Sequence, residues 1–378
     1  MHTIIKREIM SKLNHQQQFR QIIHLILTLA LAFMTVKANA AYIEDVLQGS
    51  VGKYPIVMTV FSARDKAPNS ITGMYFYVKF RHNIYINGNI RGNALYLSSK
   101  HTAEKFILTR LGNNYTGKFI SPKSKTPLPV RLTLVPKGSI KTGPDVDFSP
   151  PLTDYDRLQL TGLKFVPGKK ETIDNKYVIQ WYTEPLSGVS MFRLASGYSP
   201  AAMAAINHKL ELDHYMESLS AFTGDNSSKM HSLFLNGKFI SYSRESNLGD
   251  GPTTSGVIFD VRSGNELKME DLLWFGSGKK PTSVDALADY RSNIFAPKII
   301  EILEQLYPDK ITPSDNNNEN GCDYSNPGAW AWGTFYLTSK GLYLGVDSDQ
   351  IEHRCNNPSW SIIPYSVLKK YNPQLFSN

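Results

Sequence analysis

Three carboxylates crowd the stretch that follows a run of β-type residues near the C-terminus: Asp347, Asp349 and Glu352. Two carboxylates held at a strand end can serve as acid and base in glycan cleavage, or can meet a basic protein surface. A solvated loop is the third reading of the same residues. Trp330 and Trp332 alternate just upstream, and Trp360 follows Pro358. Exposed, such rings offer a sugar-stacking or protein-anchoring surface; buried, they are core. Cys322 and Cys355 flank the three carboxylates, Trp330 and Trp332, with Trp360 five residues beyond. An even cysteine pair without a Cys-x-x-Cys motif predicts a disulfide, contributing roughly 3 to 4 kcal/mol through the entropy of the closed loop. The binding surface is therefore expected at Trp330, Trp332, Asp347, Asp349 and Glu352.

Other chemistries find little support in the residue pattern. His208 and His214 stand six residues apart, about 120° around a helix, so they cannot chelate one metal from one face. His353, near Cys355, has no partner at ligand spacing. Asp315 to Asn320 lacks the glycine and spaced acids of a calcium loop. His-Glu-x-x-His, Gly-x-Ser-x-Gly, a phosphate-binding loop and a dinucleotide fingerprint are all missing from the sequence. No metal or cofactor is expected, and no residue is singled out as catalytic.

The elements that would position these residues fall into two blocks. From Gly49 to Val135, short β-type runs such as Ile56 to Phe61, Met74 to Phe80 and Phe106 to Arg110 recur every 8 to 14 residues or so. Asn87-Gly88, Gly112-Asn113-Asn114 and Pro127 read as the breaks between them. This pattern predicts an antiparallel all-β meander over residues 41–140, a small barrel or sandwich. In Tyr75-Phe76-Tyr77 the rings fall on both faces, which predicts a strand covered on two sides. A Pro/Gly/Asp-rich linker is expected at 141–156.

Residues 157–378 predict an α+β domain with an antiparallel sheet and two main helices. Leu158 to Leu163, Tyr177 to Trp181 and Met191 to Leu194 read as strands. Ser199-Pro200 supplies an N-cap and a first-turn proline for a helix reaching about Phe222, with Met203, Ile206, Leu210, Leu212, Tyr215, Met216 and Leu219 as its core stripe. Asn236-Gly237 predicts a two-residue hairpin with a type I′ turn. Ser283 caps a second helix to about Tyr307, bent at Pro297. Thr334 to Thr338, Leu342 to Val346 and Ile362 to Leu368 close the chain.

The order helix, hairpin, "IFDVRSGNELKMEDLL" from Ile258 to Leu273, helix, "FYLTSKGLYLGV" from Phe335 to Val346, and "IIPYSVLKKY" from Ile362 to Tyr371 resembles the RsiV-type extracytoplasmic domain. That domain also occurs beside a peptidoglycan deacetylase module. The resemblance covers about Arg157 to Asn378 and implies an α+β module that binds an extracytoplasmic partner, a lysozyme in anti-sigma-factor members. Gly249-Asp250-Gly251-Pro252 stands where members often carry a Gly-Ala-His-Pro-like turn, so that histidine's role is not implied here. The 21 residues before Ile22 are too few for the cytoplasmic domain of an anti-sigma factor. The first block, with "GSVGKYPIVM" and "GMYFYVKFR", resembles an uncharacterised β-domain of exported bacterial proteins.

Compartment and charge complete the expectation. Lys6, Arg7, Lys12 and Arg20 precede an apolar run from Leu25 to Val36 and the small-residue site Ala38-Asn39-Ala40, so residues 1–40 read as a signal peptide. The run is shorter than the roughly 20 residues of a spanning helix, and no stable membrane insertion is expected after cleavage. The formal charge of +8 falls to +4 once the leader's five Lys/Arg and one Glu are removed. No basic run concentrates that excess, which argues against nucleic acid and leaves an anionic wall polymer allowed. The sequence thus predicts a periplasmic or secreted, non-catalytic protein binding a lysozyme-like protein or a peptidoglycan fragment. A cell-wall glycan hydrolase or esterase is the alternative.

Overall fold

The structure, a computed structural model, describes residues 42–63, 69–141, 151–224, 228–247, 252–311, 322–347 and 355–377. The expected leader, positions 142–150 of the expected linker, Asp349 and Glu352 lie outside the described residues. The chain divides into two compact units, one of residues up to Tyr77 and Ile84–Lys137, the other of Val78–Asn83 and Gly138–Asn378.

The first unit is a closed barrel of eight antiparallel strands in sequence order. They are β1 (Tyr42–Val51), β2 (Tyr54–Ala63), β3 (Ser70–Tyr77), β4 (Ile84–Arg91), β5 (Ala94–Ser98), β6 (Lys105–Leu111), β7 (Asn114–Ile120) and β8 (Leu128–Leu134). β1 closes the ring by pairing with β8, Leu47 opposite Leu134 and Val51 opposite Val130. Alternation puts Leu47, Ile56, Phe106, Leu108, Tyr115 and Leu132 inside, where they fill the narrow bore that eight strands enclose. The Phe106 ring lies 5.0 Å from that of Tyr75 and 4.9 Å from that of Phe119. An apolar interior under largely polar outer positions is the reverse of a transmembrane barrel. Tyr75 and Phe76, on opposite faces of β3, are both fully buried.

Asn87-Gly88 is not a break. β4 runs through it because Gly88 stands where the neighbouring strand comes closest: a Cβ there would sit 1.7 Å from the Tyr96 carbonyl oxygen. The chain reverses instead at Gly92, whose φ is +58°.

The second unit mixes helices with three small antiparallel sheets. The first half of Leu158 to Leu163, expected as a strand, is the end of helix α1 (Asp154–Leu160), and the second half is turn and coil. A reciprocal capping box starts the helix, with Asp156 N–H donating to Thr153 Oγ1 and Thr153 N–H donating to Asp156 Oδ2. Local capping outweighs the β-like look of Leu158 to Leu163. The buried Arg81 guanidinium donates to the carbonyls of Leu158, Gln159 and Thr161 at the helix's C-terminal end.

The first sheet, in order β11-β10-β9, joins β9 (Val166–Ile173), β10 (Tyr177–Thr183) and β11 (Ser190–Ser196). Helix α2 (Pro200–Thr223) packs on it. Ser199 Oγ accepts from Ala202 N–H at 3.3 Å, and Gly224 at φ +85° ends the helix. Ile206, Leu210 and Phe222 are buried, and so are His214 and Ser218, whereas Met203, Tyr215 and Met216 are only half-buried. The core-facing side is broader than an apolar stripe.

β12 (Lys229–Leu235), β13 (Phe239–Asn247) and β14 (Pro252–Asp260) form the second sheet. The hairpin at Asn236-Gly237 exists, but its turn is not type I′, since neither residue has a positive φ. Asn236 Oδ1 accepts instead from the N–H groups of Lys238 and Phe239, so the side chain shapes the turn from its first position.

After α3 (Met269–Leu272) come α4 (Val284–Tyr290) and α5 (Ala296–Leu306), then α6 (Pro308–Ile311) and α7 (Gly328–Ala331). β15 (Phe335–Leu337), β16 (Gly341–Leu344) and β17 (Ile362–Pro364) make the third sheet, and α8 (Tyr365–Tyr371) and α9 (Pro373–Phe376) end the chain. The second expected main helix runs from its Ser283 cap to Leu306 without a break in helical backbone, but its hydrogen-bond ladder changes midway. Between α4 and α5, residues Arg291–Phe295 form a π-turn in which Ala296 N–H donates to Arg291 C=O. Pro297 lacks an N–H and crowds the carbonyl four residues back, so the ladder slips by one residue where a simple bend was expected.

Candidate functional site

The disulfide region sorts the expected residues into different environments. Cys322 and Cys355 are bonded, with Cα atoms 5.7 Å apart. Trp330 is 3% exposed. Its Nε1–H donates to the Tyr324 carbonyl at 2.9 Å, and its ring lies 6.1 Å from the rings of both Tyr324 and Trp360. Trp360 also meets Tyr307 at 5.4 Å. Trp330 is thus core beside the disulfide. Because residues 328–331 form a helical turn and not a strand, Trp330 and Trp332 do not share a face. Trp332 remains 45% exposed.

Trp332 sits over a shielded ion pair. The Arg291 guanidinium donates twice to the Glu270 carboxylate, at 2.7 and 3.2 Å, and lies 4.4 Å from the Trp332 ring centroid. With Glu270 buried, the fork-shaped guanidinium neutralises it and also offers a face to the indole. The groups are saturated by one another, so the arrangement suits holding a ring in place and not moving protons. Asp347 is fixed through its backbone, its N–H donating to the Ala329 carbonyl at 2.7 Å. Asp349 and Glu352 lie outside the described residues.

A few residues along the same helix, an open groove of about 570 Å³ is lined by Trp274, Phe275, Ile294, Pro297, Lys298 and Tyr371, among others. Each wall has a structural cause. Trp274 stacks on Tyr290 at 4.4 Å, and Tyr290 Oη accepts from Phe275 N–H at 3.1 Å. Phe275 meets Tyr371 edge-on at 5.2 Å and Phe295 at 5.8 Å. The π-turn brings Asn293 and Ile294 to the rim, and Ile294 is 45% exposed. Lys298 and Glu301, hydrogen-bonded to each other, add a polar edge. Gly276 leaves room for the indole, since a Cβ there would lie 2.4 Å from the Trp274 ring. Aromatic walls with a polar rim can hold the apolar face of a sugar ring while donating to its hydroxyls, or can receive an anchoring side chain.

None of the groove aromatics belongs to the set expected from sequence. The available signal was the pair Trp274-Phe275 placed before the glycine-rich Gly276-Ser277-Gly278, where two large rings meet a backbone able to turn beneath them.

A second polar constellation fastens α2 to the sheets. Tyr242 Oη donates to Asp213, whose carboxyl is pushed up by burial. Arg244 donates to Ser228 Oγ and Ser228 C=O, each at 2.7 Å, and lies 3.5 Å from Glu217. These groups are spent on one another. Among the described residues no three His, Cys, Asp or Glu side chains are grouped to hold a metal ion, and no helix is long and apolar enough to cross a membrane. No protein-family model matches the chain, and no curated protein matches it.

Proposed function

We propose that this is an exported envelope protein whose α+β unit, in keeping with its RsiV-like sequence pattern, binds an extracytoplasmic ligand and is not a catalyst. The ligand is a lysozyme-like protein or a peptidoglycan fragment. One observation carries the reading: Trp274, Phe275, Ile294 and Tyr371 wall an open groove on a rigid frame of helix and π-turn. An open, aromatic-lined surface favours an extended or macromolecular ligand over an enclosed small molecule. The disulfide close by in sequence, Cys322–Cys355, is consistent with an oxidising compartment.

Calorimetric titration of the oxidised protein with an animal-type lysozyme, and separately with disaccharide-peptide fragments of peptidoglycan, tests this. Saturable binding to one of them is expected, weakened about tenfold or more by Trp274→Ala, as for an anchoring aromatic, and unchanged by Asp347→Asn. Silence with both ligands, or binding indifferent to Trp274→Ala and Tyr371→Ala, would overturn the reading.

A further inference from the structure

The modest overall charge conceals an uneven division. The barrel segments 42–77 and 84–137 carry twelve Lys/Arg against four Asp/Glu, a net +8, whereas 78–83 with 138–378 carry twenty-four against twenty-eight, a net −4. Of the barrel's described carboxylates, only Asp45 meets a cation among the described residues. Glu44 accepts from Thr59, Asp45 from Tyr115 and Arg110, and Glu104 from Tyr75 and Thr102. All ten described Lys/Arg of the barrel are exposed. Among the described residues, Arg110 alone of these ten has a carboxylate within ion-pair distance.

The strand register collects these charges. Ile107 stands opposite Lys118 on β7, and Lys118 opposite Pro129 on β8. Lys105, two residues before Ile107, and Arg131, two after Pro129, share the outer face with Lys118. The three cations therefore run diagonally across β6, β7 and β8 at steps of about 7 to 8 Å. That spacing is inside the roughly 10 Å screening length of about 0.1 M salt, so their fields add. Such self-repulsion is a cost to folding that a bound polyanion relieves.

Two features beside the cations suit a hydroxyl-rich ligand. Tyr96, opposite Ile107, is 42% exposed and lies under the Arg91 guanidinium at 5.5 Å. Thr72, Asn87, Ser98 and Lys105 stand in one cross-strand row. Along it a depression of about 250 Å³ is lined by Thr72, Tyr85, Asn87, Ser98, Lys100 and His101, among others. The filled bore leaves the outside of the barrel as its ligand surface.

We propose that the outer face of β3 to β8 binds an anionic glycan polymer, its repeating charges along Lys105, Lys118 and Arg131 and its sugar rings against Tyr96 and the Thr72–Asn87–Ser98 row. The two exposed rings, Tyr85 and Tyr96, stand four residues apart in register, Tyr96 opposite Asn89, with the Asn87–Ser98 row of amide and hydroxyl between them; rings so separated favour a glycan over a single-stranded nucleic acid, which calls for successive stacking platforms.

Labelled polygalacturonate, neutral dextran of equal length and a thymidine oligonucleotide of matched charge are the probes, titrated into the purified oxidised protein from about 50 mM salt upward. Polygalacturonate is expected to bind with an affinity that falls linearly on logarithmic salt axes. Replacing Lys105, Lys118 and Arg131 together by Gln should shrink that slope by about one per cation removed. Tyr96→Ala should weaken binding about threefold to tenfold. Far-UV circular dichroism should be unchanged in both variants, whose substituted side chains face solvent. Trp274→Ala should leave polygalacturonate binding intact, which separates this surface from the groove. Equal affinity for dextran, an unchanged slope in the triple variant, or tighter binding of the oligonucleotide would each overturn the assignment.

Discussion

In the barrel a single ring of strands leaves no open sheet edge, and its core is a bore filled by alternate residues of every strand. The second unit is built from three separate three-stranded sheets held by helices, two hydrophobic clusters and a disulfide. The barrel has no tryptophan; all five, Trp181, Trp274, Trp330, Trp332 and Trp360, belong to the second unit. Net charge differs in sign as well. The difference teaches that a closed meander can spend its outer face on charge, because its inner face suffices for a core. A unit of small open sheets must instead use large rings and cross-links, and some of those rings remain at its surface.

The tryptophan distribution makes this contrast measurable, since intrinsic fluorescence reports the second unit while far-UV circular dichroism reports both. The largest effect is expected from Phe106→Ala, which empties the middle of the bore and should cost about 3 to 5 kcal/mol. In urea the dichroism transition should move to lower denaturant while the tryptophan transition stays in place. A joint shift would show that the two units unfold as one. Replacing Cys322 and Cys355 together by Ala should do the converse, lowering the tryptophan transition by about 4 kcal/mol on the entropy account of a loop of this length.

A smaller, pH-dependent effect should again be confined to the second unit. His214 is fully buried, stacked 4.1 Å from Phe165, with Nε2 at 3.0 Å from the Val189 carbonyl and Nδ1 without a partner among the described residues. Burial pushes its pKa down to about 4, Arg193 and Arg244 add to the depression, and the Val189 carbonyl opposes it. The unfolded chain therefore takes up this proton near pH 6.5 and the folded chain only near about 4. Stability is lost as pH falls through that window, by about 3 kcal/mol in all. Asp213, raised by burial, acts in the opposite sense. Comparing urea midpoints of wild type and His214→Gln between pH 7 and pH 4.5 isolates the histidine: the acid-induced loss should be smaller in the variant. Equal losses would remove His214 as the cause.

Legibility in the sequence followed the locality of each signal. Ser199-Pro200 announces α2 because cap and first turn are contiguous, and the β-type runs of the barrel show because alternation is local. β1 and β9 escaped. Tyr42–Val51 opens Tyr42-Ile43-Glu44-Asp45 and its inward Leu47 and Val51 are separated by Gly49, while Val166–Ile173 carries Pro-Gly-Lys-Lys and is mostly exposed, so neither shows a clean apolar alternation. Asn87-Gly88 and Asn236-Gly237 are identical dipeptides with different fates. The first lies inside a strand where a neighbour needs room, the second opens a turn shaped by the asparagine side chain. At the candidate site, the disulfide followed from counting cysteines. The groove did not, because Trp274, Ile294 and Tyr371 meet only through a π-turn and a C-terminal helix far apart in sequence. The basic face was hidden for a related reason: strand alternation spaces its cations singly, so no linear run forms.

The pairing of β1 with β8 also bears on the order in which the barrel assembles. Seven of its ladders join strands adjacent in sequence and can zip from their turns. The eighth must bring Val51 to Val130, and the entropy of closing so long a loop is met only once the rest is in place. The β1–β8 seam is therefore the last ladder to form, and until it closes the nascent sheet has two bare edges.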